Sequence, residues 1–323
     1  MGILKTITEE YFGNIIREED EINIDGLDVE IVSFTDNNGK KHRRGYKPKD
    51  KKNLQKLLER MIEVRGDEGD FNDIDTSDIV SMESLFDYNE TFNGDITGWN
   101  VSSVRNMSNI FYNAKSFNQD ISKWNVSGVI YMYGMFWGAT SFNQPIGDWE
   151  FPKVENMSGM FYGAKSFNQD ISKWKFPKVI YINSMFWDAS SFNQPIGNWD
   201  VSSVIDMSGM FYGATSFNQP IGNWDVSSVT DTNNMFYNAT SFNQDISKWK
   251  FPKVTDMNHM FAYATSFNQP IGNWEFPNVT NMNRMFFYAT SFNQDLSKWD
   301  LKGKDKIEIF YGCPIKDEYK PKM

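Results

Sequence analysis

With 323 residues, 40% of them hydrophobic and 16% aromatic, the chain can bury a large core. A formal charge of −10 argues against nucleic acid and polyanionic surfaces as partners, and a single cysteine, Cys313, excludes an intramolecular disulfide and cysteine-built zinc sites. No run approaches the roughly 18 apolar residues of a membrane span, and the N-terminus has no apolar signal core. The expectation is therefore cytoplasmic synthesis, with incorporation in a virion or surface assembly as a further possibility.

Residues 1–20 place Ile7, Tyr11, Ile15 and Ile16 at helical spacing ahead of the acidic run Glu18–Glu21. The segment reads as a short docking helix or as a partner-binding, oligomerising one. Met1-Gly2 with Thr6 fits an N-myristoylation pattern, which the acidic residues that follow oppose. Next come alternating apolar residues (Ile22, Ile24, Leu27, then Val29, Ile31, Val32, Phe34) and the turn Asp36-Asn37-Asn38-Gly39, which predict a hairpin. The basic stretch Lys40–Arg44, with Lys47, Lys49, Lys51 and Lys52, reads as a solvated arm, with a phosphate or nucleic-acid patch as the alternative. Residues 50–65 predict a helix capped by Asp50, striped by Leu54, Leu57, Leu58, Met61 and Ile62, and ended by Gly66. Together, residues 1–70 form an expected α+β attachment and capping domain, and a route to a homo-oligomer or larger assembly.

From residue 71 to 313 the chain repeats every 25 residues. Aligned on the first Phe, the unit is F-N-Q-(D/P)-I-x-x-W-x-(V/F)-x-x-V-x-x-M-x-x-M-F-x-x-A-x-S, and its tryptophans run without a slip from Trp99 and Trp124 to Trp299. One unit cannot bury so many large side chains alone, so like residues must pack on like from one unit to the next. The period-two alternation at Trp124-Asn125-Val126 predicts a short strand, and the three-and-four spacing of Val-x-x-Met-x-x-Met-Phe predicts one or two helical or 3₁₀ turns. The second-position asparagines, Asn93 to Asn293, predict a ladder that satisfies turn backbone groups. Phe71-Asn72-Asp73-Ile74 is read as the start of a first unit that lacks Trp and runs four residues short before Phe92. At the far end Ile309–Cys313 echoes the unit with one residue deleted, which puts Cys313 at a buried alanine place. Residues 314–323 read as a loose tail or an added contact.

The order Ile-x-x-Trp-x-Val-x-x-Val resembles the leucine-rich-repeat core with its leucines replaced. The segment from Val254 to Phe267 resembles the BspA-like leucine-rich-repeat surface-protein family, and the likeness covers about residues 71–313. The resemblance implies a non-enzymatic solenoid that binds other proteins, often at a cell or particle surface. The expected fold is an α/β solenoid, a leucine-rich-repeat-like right-handed stack of about ten 25-residue coils behind the small N-terminal domain.

No catalytic, cofactor or metal constellation is legible. His42 and His259 have no partners at a recognised spacing, and the carboxylates lie in repeating lanes rather than in one unlike cluster. Charges beside the tryptophans alternate in sign between neighbouring units, except Asp200 and Asp225, where a weak cation contact is conceivable. The candidate binding surface is the lane just after the second Phe: Tyr112, Trp137, Tyr162, Trp187, Tyr212, Tyr237 and, beyond Ala262, Phe287. Rows of this kind either shield the stack or bind a protein or glycan. Tyr131, Tyr133 and Tyr181 extend the same surface. The expected function is a non-catalytic interaction scaffold anchored through its N-terminal domain, and the alternative is a cell-surface adhesin for host protein or glycan.

Overall fold

The computed structural model describes residues 22–35 and 41–322. The segment 1–20 with its lipidation pattern, the hairpin tip, Lys40 and the side chains of residues 41–44 lie outside the described residues.

Strand β1 (Val29–Thr35) pairs antiparallel with β2 (Lys41–Pro48), with Ile31 opposite Tyr46, as the alternation predicted. Helix α1 (Lys51–Arg65) follows. Its N-cap, Asp50, accepts the Asn53 N–H at 2.9 Å, and Gly66, at φ 76°, returns its N–H to the Ile62 carbonyl at 2.8 Å. Leu54, Leu57, Leu58 and Met61 on its stripe are buried, each burial contributing roughly 1.5–3 kcal/mol of transfer free energy. Ile62 packs at the edge of the same cluster.

The hairpin and helix join the repeats directly. The Tyr46 N–H donates to the Asp73 carbonyl and the Asp75 N–H to the Tyr46 carbonyl, both at 2.8 Å, in a parallel bridge to Ile74. Arg65 grips the Asp73 carboxylate with two bonds of 2.8 and 2.7 Å, and Lys47 reaches Asp78 at 2.9 Å. Bidentate geometry and burial make the first pair the stronger tie.

The first unit is not short. Asp70 bridges Asp95, and the Trp99 indole N–H donates to the Phe71 carbonyl at 3.0 Å, as Trp124 does to Ile96. Phe71 therefore occupies the Ile96 place and Ile74 the Trp99 place, in full 25-residue register. The likeness of Phe71-Asn72 to Phe92-Asn93 misled the alignment, because α1 rather than a repeat Phe precedes this unit.

Between residues 71 and 313 no multi-residue strand or helix forms among the described residues. At the expected Trp124–Val126 strand the chain turns instead: Trp124 N–H closes on the Ile121 carbonyl at 3.0 Å and Val129 N–H on Val126 at 2.9 Å, leaving too little extended chain to pair. The expected helical turns are linked β-turns. Asn109 and Asn113 adopt left-handed φ of 57° and 56°, and Ile110 N–H bonds Met107 while Ala114 N–H bonds Phe111. A left-handed third residue is what a type II turn needs, and it interrupts any helix. Glycine or asparagine fills many of these places along the chain, including Gly134, Gly138, Gly159 and Gly163.

The turns aim alternate N–H groups at the following unit. Asn109, Phe111 and Asn113 donate to the carbonyls of Tyr133, Met135 and Trp137 at 3.0, 3.0 and 2.6 Å, and the pattern recurs to Arg284, Phe286 and Tyr288 on Ile307, Ile309 and Tyr311. Single-residue parallel bridges join Ser81, Asn106, Tyr131 and onward to Asp305. The hydrogen-bonded wall thus lies on the Met-Phe side and not on the Trp side.

Inside, like residues stack on like. Phe117 lies 6.0 Å from Phe142, and Trp199 lies 6.4 Å from Trp224 at 4°. Within a unit Phe111 stacks on Phe117 at 3.8 Å. The predicted asparagine ladder forms: each side-chain oxygen from Asn93 to Asn268 accepts the N–H of the next asparagine at 2.9–3.0 Å, and Gln119 and its equivalents donate to the backbone carbonyl beside it. One buried cluster runs from Ile22 to Ile315.

Residues 314–322 are not a loose tail. Ile315 is buried, Lys316 N–H donates to the Asn293 side chain at 3.0 Å, and Leu296 N–H donates to the Tyr319 carbonyl at 2.9 Å. Ile315 and Tyr319 gain from covering the last unit what a charged segment cannot gain from solvent.

Candidate interaction surface

The aromatic lane stands on the hydrogen-bonded wall, each ring one residue before a left-handed turn position. Six of the seven candidate residues form one file. Ring centroids are separated by 5.6 Å from Tyr112 to Trp137, 3.8 Å to Tyr162, 5.3 Å to Trp187, 3.8 Å to Tyr212 and 4.4 Å to Tyr237, and from Trp137 onward each successive pair lies within 13° of parallel. Every ring is half-buried. Their faces cover one another, so the file presents edges to solvent.

The glycines beside the file are part of its construction. A Cβ on Gly159 would lie 2.7 Å from Trp137, and one on Gly209 2.7 Å from Trp187. Each indole therefore folds over the next unit's glycine, and the short Trp–Tyr separations follow. Burial raises the hydroxyl pKa of Tyr112 and Tyr162, and burial with the Tyr237 hydroxyl beside it pushes Tyr212 up to about 12. These phenols stay protonated across the physiological range and serve as neutral donors and acceptors.

A protein family described as "Mycoplasma protein of unknown function, DUF285" matches the chain three times, over residues 52–174, 145–240 and 219–318. Together these spans cover most of the sequence. The chain belongs to this family. No curated protein and no solved structure matches it. The overlapping matches make this a repeat protein of the DUF285 family, in keeping with the 25-residue period.

The rest of the DUF285 wall is uneven. Tyr131, Tyr133 and Tyr181 are exposed beside the file, at 50%, 39% and 37%. Farther along the bridge lane Asp206, Asp231 and Asp256 follow one another. Burial, with repulsion from its two neighbours, raises the Asp231 pKa, and burial raises that of Asp188 beside Trp187.

Phe287 does not join the file. Ala262 interrupts it, and Phe287 instead meets Tyr263 edge-on at 5.6 Å and Tyr311 at 5.3 Å, with the Arg284 guanidinium 5.4 Å over its ring. Tyr263 and Tyr288 belong to this second cluster and were missed in the sequence. They stand in the lane of Asn113, Gly138 and Gly163, at φ 58° and 52°. Reading that lane as a left-handed turn position would have marked three tyrosines there as exceptions, these two and Tyr88, which at φ 57° lies tilted against Tyr112 at 5.2 Å.

His259, also left-handed at φ 53°, bonds Asn258 through Nδ1 at 2.8 Å, and burial, aided by Arg284, lowers its pKa. Among the described residues no group of three or more His, Cys, Asp or Glu side chains is placed to hold a metal ion. Asp200 and Asp225 spend an oxygen on the Ser202 and Ser227 N–H groups at 3.1 and 3.0 Å. Lys173 pairs with Asp148 of the preceding unit at 2.9 Å, as alternating charge predicted. Cys313 is half-buried at the alanine place, its thiol pushed up to about 11 by burial, so it carries little thiolate. Among the described residues no helix is long and apolar enough to cross a membrane.

Proposed function

We propose that the chain is a non-catalytic interaction scaffold: a leucine-rich-repeat-like right-handed solenoid of about ten coils, allied to the BspA-like surface proteins, whose aromatic wall binds another protein. The observation that carries this reading is the file from Tyr112 to Tyr237, six rings with covered faces and open edges beside the exposed Tyr131, Tyr133 and Tyr181. A glycan partner would pack its sugar rings on aromatic faces, and here the neighbouring rings occupy them. A protein surface can instead use ring edges and hydroxyls, the mode in which tyrosine contributes to interfaces. Residues 1–70 anchor the scaffold to a larger assembly such as a virion or other particle.

Crosslinking mass spectrometry in the native cell or particle tests the reading. The expected result is one dominant partner crosslinked around the aromatic wall and lost when Tyr131, Tyr133 and Tyr181 are all changed to Ser. Those side chains are exposed, so the melting midpoint should not move. A partner retained by this variant, or crosslinks confined to the Trp side, would refute the assignment of the wall.

A further inference from the structure

In the bridge lane of the wall the N–H groups point back along the stack, from Arg105 to Val80 and on to Asp305 donating to Thr280, both at 2.8 Å, whereas the turn positions that follow point forward. At the positions of Met107, Asn109, Phe111 and Asn113 every inter-unit bond runs from an N–H of the earlier unit to a carbonyl of the later one. The two ends of the wall are consequently unlike. In the first unit Met82, Ser84, Phe86 and Tyr88 donate forward to Asn106, Ser108, Ile110 and Tyr112, while the carbonyls of Ser81, Glu83, Leu85 and Asp87 accept no bond among the described residues. In the last unit the carbonyls of Asp305, Ile307, Ile309 and Tyr311 are taken, while the N–H groups of Lys306, Glu308, Phe310 and Gly312 make no bond among the described residues. One end shows four acceptors and the other four donors, at the same spacing.

Exposed apolar side chains mark the same two ends. Val80 and Tyr88 are 63% and 66% exposed at the acceptor end, and Ile307 and Tyr311 are 67% and 54% exposed at the donor end. Helix α1 and the segment 314–322 close the core on the other sides of the stack, so the open contact is confined to this wall. An ordinary β-strand offers donors and acceptors in turn along one edge and would answer about half of either row. The row that answers all four donors is the acceptor row at the opposite end of the same protein.

We propose that copies of the chain join head to tail, the 306–312 edge of one on the 81–87 edge of the next. The contact is heterologous and leaves both outer ends open, so it builds chains of copies rather than a closed dimer.

The test is sedimentation velocity on the full-length protein over a concentration series, with Val80→Glu blocking one edge and Ile307→Glu the other. Both side chains are mostly exposed, and unchanged circular dichroism and melting midpoints will confirm folding. The wild type should gain mass with concentration and show no plateau at two copies. Each variant alone should stay at the mass of one copy. An equal mixture of the two should reach twice that mass and stop, because one intact donor edge meets one intact acceptor edge. A wild type at one-copy mass throughout, a wild-type plateau at two copies, or a mixture that fails to associate would each overturn the proposal.

Discussion

Two glycine substitutions separate backbone strain from side-chain overlap on the wall. Gly163 and Gly209 both hold left-handed φ, 66° and 58°. A Cβ at Gly163 would find nothing nearer than the Gly138 backbone at 3.7 Å, an ordinary contact. At Gly209 it would lie 2.7 Å from two atoms of the Trp187 ring. Gly163→Ala should therefore cost only the left-handed strain, about 1–2 kcal/mol. Gly209→Ala should cost that plus an overpacking term of roughly 1–3 kcal/mol, because Trp187 is held against Tyr212 at 3.8 Å and cannot retreat freely. Denaturant unfolding followed by far-ultraviolet circular dichroism measures both, the slope being compared with wild type so that only midpoint shifts at equal slope are read as stability. Trp187→Ala placed in the Gly209→Ala background should recover the overpacking part, a coupling expected for residues in contact. Equal destabilisation by the two alanines, or no coupling to Trp187, would falsify the account of the indole folded over glycine.

Three further outcomes follow from the core. Trp199→Ala removes a ring 3% exposed between Trp174 and Trp224 and takes one of two donors from the Ile171 carbonyl, which keeps the Trp174 N–H, and should cost about 3–5 kcal/mol; an unmoved thermal midpoint would refute the tryptophan lane as core. Asn193→Ala removes the acceptor of the Asn218 N–H and of Gln219 and should cost about 1–3 kcal/mol, read by the same denaturation. Asp231→Asn should stabilise at neutral pH. Burial raises the carboxyl's folded pKa above its unfolded value, so folding favours its protonated form, and the stability this provides is present at low pH and lost as pH rises through the folded pKa. The gain from Asn should therefore shrink as pH falls through the carboxylate range, and a constant gain from neutral to acid pH would refute burial of the charge as its cause.

Much of the core was legible because repetition makes each lane its own control. A Trp or Phe that returns every 25 residues must meet its copies, and the asparagine ladder follows from the same period. The helix over 50–65 was legible from a cap, a stripe and a terminal glycine that agree. The strand and helical turns read into each unit were not, because period-two and three-to-four spacings describe which side chains face inward, and linked turns can produce both. The first unit was misplaced because Phe71-Asn72 copies the look of Phe92-Asn93 while sitting four residues later in register. In the candidate surface the lane was visible as letters, but its division into a six-ring file and a separate cluster around Phe287 depended on how rings meet.

The sequence by itself determined the period, the lanes that face the interior and the helix ahead of the repeats, since each is a pattern of residue types along the chain. Tertiary structure alone decided which wall carries the hydrogen bonds, that the bonds of its turn positions point forward along the stack, and that aromatic faces are spent on one another. Those properties depend on the sign of φ at two positions in each unit, which Asn, Gly, Ser, His and Tyr all adopt here. A backbone sign shared by such unlike side chains has no single-letter signature, and only the assembled units make it visible.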